Sequence, residues 1–150
     1  EMTWFVYHPI LVAMEGAGEY NRAIKFVEDM LAEGFKPDRS CFNTMIRIAY
    51  EARRWDKSLE YMALCKAQGL EPVAYQFRYA LLACIQAKKW QKCVSLTEEM
   101  IVMKDPDLRL ITISAKLAES AGQIKAAHQI LNLVEKFSVV QKKSKELQQK

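Results

Sequence analysis

Apolar residues recur along this chain at intervals of three and four rather than two, in eight stretches separated by short polar breaks. That spacing lines them up on one face of a helix and predicts helices over residues 4–16, 20–33, 40–52, 55–68, 75–87, 90–102, 109–120 and 123–136. The breaks carry the chemistry that ends one helix and starts the next. In Gly34-Phe35-Lys36-Pro37-Asp38, the glycine can take the left-handed conformation that closes a helix. Pro37 has no N–H with which to continue it, and Asp38 stands where it can cap the next one. Each stretch is short enough to need a neighbour for stability.

The break repeats. Gly34…Pro37 returns as Gly69-Leu70-Glu71-Pro72 and, without its glycine, as Met103-Lys104-Asp105-Pro106, so the prolines stand 35 and 34 residues apart. A fixed period of that size predicts an array of helical repeats. The repeats run over about 4–38, 39–73, 74–107 and 108–137, two helices in each. Stacking them yields columns of matched size. Tyr7, Phe42, Phe77 and Ile111 form a bulky column, as do Leu11, Ile46, Leu81 and, smaller, Ala115. Ala23, Ser58, Cys93 and Ala127 form a small one; Met14, Ala49, Cys84 and Ala118 are mostly small. Tyr20, Trp55, Trp90 and Ile124 open the second helices. Small residues at matched heights let helices approach closely, and large ones fill the space between pairs.

Composition narrows the classes. The 150 residues are 51% apolar with only five glycines, which fits an all-helical globular chain of single-domain size rather than disorder. The net charge of +4 permits contact with RNA or another acidic partner without establishing it. Cys41, Cys65, Cys84 and Cys93 contain no CxxC pair, and His8 and His128 are far apart, so no metal site is expected. The cysteines read as reduced packing residues. No apolar run approaches the ~20 residues of a membrane span, so no membrane insertion is expected. There is no nucleophile with a histidine and an acid, no glycine-rich phosphate loop and no carboxylate cluster. The expectation is a non-enzymatic protein with no cofactor and no small-molecule substrate. The first residue is Glu rather than Met, so the sequence gives no view of a targeting segment.

Phe42-Asn43-Thr44-Met45-Ile46, then Lys57-Ser58-Leu59-Glu60, and upstream Phe26-Val27-Glu28-Asp29-Met30 through Gly34…Pro37-Asp38, resemble the pentatricopeptide repeat. An aromatic-Asn pair opens the first helix of that repeat, and F-x-x-M-x-x-x-G-x-x-P-D ends it. The resemblance covers nearly the whole chain, strongest over 26–64, fair over 74–100 and weak in the last repeat. The Phe42-Asn43 pair and the Pro37-Asp38 ending favour it over the tetratricopeptide repeat. It implies an all-α, right-handed solenoid of antiparallel helix pairs that binds single-stranded RNA along a concave face lined by the first helices.

In that family one base is read per repeat by the fifth residue with the last, while the second residue sandwiches the base. The fifth residues are His8, Asn43, Arg78 and Thr112; the last are Asp38, Val73 and Asp107; the second are Phe5, Ser40, Tyr75 and Arg109. No repeat presents a complete pair, because Asn43 is matched with Val73, and Asp38 and Asp107 with His8 and Arg78. One-base-per-repeat reading is therefore not expected in full form. Asn43 equally suits a helix-start hydrogen bond and Asp38 an N-cap. Arg47 and Arg78 on first helices suit phosphate, and Arg53-Arg54 with Lys88-Lys89, at the same turn of successive repeats, suit a basic ridge along an RNA backbone. A solvated loop is the alternative for that ridge.

The resemblance thus implies RNA binding, to single-stranded or ribosomal RNA, in organelle gene expression, with a mitochondrial or plastid location. The alternative is a structural scaffold in a large organellar assembly such as the mitochondrial ribosome, gripping mainly protein subunits. Residues 138–150 change character to a polar, basic closing helix or tail.

Overall fold

A computed structural model describes residues 4–150. Residues 1–3 lie outside the described residues. Among those described there are eight helices and no strand. They are α1 (Trp4–Gly16), α2 (Tyr20–Ala32), α3 (Arg39–Glu51), α4 (Trp55–Ala67), α5 (Ala74–Gln86), α6 (Trp90–Met100), α7 (Leu108–Ser120) and α8 (Ile124–Gln148). Seven match the expected stretches to within one or two residues. The eighth runs on past residue 136 because neither glycine nor proline follows Gly122. The polar stretch 138–150 is thus mostly helix.

Helices α1, α3, α5 and α7 end by one rule, at the repeat period. At Gly18, Arg53, Lys88 and Gly122 the backbone turns left-handed, with φ of 72°, 58°, 56° and 79°. Each of these residues donates its N–H to a carbonyl three residues back, and the next residue donates to one five back, as in Gly122 to Glu119 (2.9 Å) and Gln123 to Ala118 (2.8 Å). This paired closure satisfies carbonyls that a helix end would leave bare. Gly34 and Gly69 close α2 and α4 the same way. Two helix starts are capped by aspartate: Asp38 Oδ1 accepts from the Cys41 N–H (2.8 Å), and Asp107 Oδ1 from the Leu110 N–H (3.0 Å).

The chain forms two compact units, one up to Ala83 and one from Cys84. In the first, α3 contacts α1, α2 and α4 and is the most deeply buried helix, with Phe42, Ile46, Ile48 and Ala49 fully enclosed. Tyr7 packs its ring against Phe26 (5.7 Å between centroids) and Phe35 (4.9 Å). In the second unit α8 packs on α7 and α6.

The bulky column is buried throughout, with Tyr7, Phe42, Phe77 and Ile111 at 7, 0, 4 and 0% exposure, and the small column Ala23, Ser58, Cys93 and Ala127 is likewise buried. Burial of each large member contributes about 1.5–3 kcal/mol. The opening column fades: Tyr20, Trp55 and Trp90 are half-buried, while Ile124 is exposed. All four cysteines are buried free thiols.

Candidate binding surface

In the first unit several of the sequence-predicted residues are bonded within the fold: Arg47 and Tyr75 meet each other, while His8 and Asn43 meet residues outside the expected set. His8 of α1 lies 3.0 Å through Nε2 from Thr44 Oγ1 of α3, whose hydroxyl in turn donates to the Ser40 carbonyl. With that proton committed, Thr44 accepts from the imidazole.

Asn43 Oδ1 accepts a 2.7 Å hydrogen bond from Gln76 Nε2 on α5. The Gln76 side chain is wholly buried, and its Oε1 accepts from the Cys65 thiol at the end of α4 (3.7 Å). One chain of polar groups therefore joins α3, α5 and α4.

Arg47 of α3 is held on both sides. Its guanidinium forks onto Glu15 of α1, with Nε donating to Oε1 and Nη2 to Oε2 (2.6 Å), while Nη1 donates to the Tyr75 hydroxyl of α5. The carbon of the guanidinium also sits 5.9 Å from the Tyr75 ring centre, within reach of a cation–π attraction. These partners, Glu15 foremost, hold the Arg47 pKa above the ordinary guanidinium value. Tyr75 contacts Tyr79 (4.9 Å), which contacts Tyr50 (5.5 Å), so aromatic rings continue the link from α5 to α3.

The remaining candidates are placed as follows. Phe5 and Arg78 are exposed on α1 and α5. Asp38 and Asp107 serve as helix caps. Thr112 donates to the Leu108 carbonyl of its own helix (2.7 Å). Arg53 and Lys88 are exposed, and each supplies the left-handed residue of its turn. Arg54 forks onto Asp56 (3.1 and 3.0 Å), which raises the arginine pKa and lowers that of the aspartate, chiefly through those hydrogen bonds. Lys89 is exposed.

Sequence reasoning missed Glu15, Gln76 and Tyr79. Gln76 had a signal: at the repeat period it follows Val6 and Cys41 and precedes Leu110, a polar residue in an otherwise apolar column.

Chemically, these arrangements hold helices together and offer surface charge. No group of three or more potential metal ligands occurs among the described residues, and no described helix is long and apolar enough to cross a membrane. Burial pushes the Cys41 and Cys93 thiols up to about 12 and Cys84 to about 11, with the Asp38 charge adding to the effect at Cys41. Such thiols are poor nucleophiles at neutral pH. No family model matches the sequence, and no curated protein matches it. The class that the structure defines is an all-α, repeat-like helical protein.

Proposed function

We propose that this chain is a non-catalytic scaffold: a right-handed solenoid of about four antiparallel, pentatricopeptide-like helix pairs that binds macromolecular partners through its surface. The setting implied by the resemblance is a large organellar assembly, in a mitochondrion or plastid. The observation that carries the reading is the bond between Asn43 and the buried Gln76. The residue best suited by type to read a base has its carbonyl oxygen occupied within the fold. His8, Thr112, Asp38 and Asp107 likewise bond to their own chain. A base edge would have to compete with those bonds, and breaking one to a buried partner costs about 1–3 kcal/mol.

A second reading, RNA held by its backbone in organelle gene expression, is favoured by a different observation. The chain carries exposed Arg53, Arg78, Lys88 and Lys89, and charge of that kind follows phosphates without reading sequence.

Selection of bound RNA from a random single-stranded pool, repeated at rising salt, separates these readings. The scaffold reading expects no enriched motif and no change on Asn43→Ala. Tight, motif-free binding that weakens steeply with salt and with Arg53→Ala plus Lys89→Ala supports the second reading. A short motif lost on Asn43→Ala sinks the scaffold reading.

A further inference from the structure

The 25 residues of α8 span about 37 Å at 1.5 Å per residue, nearly twice the length of the 13-residue α7 against which α8 packs. From Ser138 onward every residue of α8 is exposed. An isolated helical segment of that length is marginal in water, so its unpacked half is a surface to be accounted for.

Two patterns converge on it. The first is a seam at alternating spacings of three and four: Ile130, Leu133, Phe137, Val140, Ser144 and Leu147. This is the spacing with which one helix packs along another. The seam starts inside the core, with Ile130 fully buried and Leu133 and Phe137 half-buried, and emerges at Val140 and Leu147, which are 62% and 74% exposed. The side of α8 that continues its packed face is polar there, with Gln141, Lys145 and Gln148. The exposed valine and leucine are therefore not a mere continuation of the core.

The second pattern is charge. Residues 136–150 hold five lysines and one glutamate, an excess of four positive charges equal to that of the entire chain. Lys136 and Lys143 immediately precede the seam residues Phe137 and Ser144 and so line one flank of it. The other flank is neutral, with Val134, Gln141 and Gln148.

From this arrangement we infer that the exposed half of α8 is a docking surface for an acidic amphipathic helix of a protein partner. Its apolar residues lie along Phe137, Val140 and Leu147, and its carboxylates face Lys136 and Lys143. A second copy fits worse. Parallel pairing sets each flanking lysine opposite a glutamine, and antiparallel pairing sets lysine opposite lysine. The inference deepens the scaffold reading and rests on it, since it names the partner class.

The test uses the full chain and two synthetic three-heptad helices with leucine along the seam, one with glutamate on both flanks and one with lysine. Titration at low salt should give at least about tenfold tighter binding of the glutamate helix. Val140→Asp with Leu147→Asp should abolish that binding while leaving thermal unfolding unchanged, because both side chains are exposed. Lys136→Glu with Lys143→Glu should reverse the preference toward the lysine helix. Equal binding of both helices, binding of neither, or a preference unmoved by the charge reversal overturns the inference. So does self-association of the wild type that Val140→Asp disrupts, which would assign the seam to a second copy, or displacement of the helix by random single-stranded RNA. None of these results bears on Asn43, whose RNA selection tests the scaffold reading separately.

Discussion

Arg47 and Glu15, 32 residues apart, meet in a two-bond fork with side chains only 29% and 17% exposed. The same guanidinium reaches Tyr75, so one arginine ties α3 to α1 and α5. Lysine keeps the charge but has neither the fork nor the flat face. Arg47→Lys should lower unfolding free energy in urea by about 1–2 kcal/mol, and Arg47→Ala by roughly 2–3 kcal/mol, the range of hydrogen bonds to charged groups. A lysine variant as stable as the wild type would show the fork to be incidental.

Arg53 occupies a left-handed position that Gly18 and Gly122 fill in other repeats. A side chain there costs roughly 1–2 kcal/mol, offset in part by the glycine's greater freedom when unfolded. Arg53→Gly should therefore raise stability by up to about 1 kcal/mol, although it removes a surface charge and no packing. A lower melting temperature for this variant would show that the arginine side chain contributes more than the strain it imposes.

Among the described residues the buried Tyr61 hydroxyl has no hydrogen-bond partner, and burial, the largest influence on it, raises its pKa. At the repeat period, Phe26, Leu96 and Ile130 fill the same place with no hydroxyl at all. Removing an unsatisfied polar atom costs little and can help. Tyr61→Phe should leave stability unchanged or raise it by about 1 kcal/mol. A marked loss on denaturant unfolding would mean that the hydroxyl has a partner, such as bound water.

The buried thiols give the fold an alkaline limit. With Cys41 and Cys93 pushed up to about 12 and Cys84 to about 11, above their ordinary 9.0, the native state holds its protons after the unfolded chain has released them. The stability this represents is whole below pH 9 and falls as pH rises through the folded values. Urea midpoints measured across that range should decline. At neutral pH the four thiols should react with a disulfide reagent only as fast as the protein opens. Rapid labelling of native protein would contradict their burial.

The helices and their turns were legible because their signals are local. Proline, glycine and capping aspartate each act within a few residues, and their 35-residue rhythm repeats the message. The buried columns were legible for the same reason: helical spacing fixes which side chains share a face, as Phe42 and Ile46 do. At the far end the repeat frame places a break after residue 136 and a closing helix or tail beyond it; no glycine or proline supports a break there, and the two stretches form one helix, α8, to Gln148. The polar ties could not be read. Asn43 meets Gln76 across 33 residues and Arg47 meets Glu15 across 32, and those pairings depend on distances between helices. Residue type shows what can bond, whereas packing decides with whom.

Asn43, which resembles a base reader, acts as an internal tie to Gln76, and a double-mutant cycle on the two residues measures that tie. Unfolding free energies are needed for the wild type, Asn43→Ala, Gln76→Leu and the double variant. Asn43→Ala strands a buried donor and should cost about 1–3 kcal/mol. Its cost should largely vanish in the Gln76→Leu background, giving a coupling energy of at least about 1 kcal/mol. Additive effects with no coupling would mean that the bond does not tie the helices and would leave the Asn43 amide free to read a base.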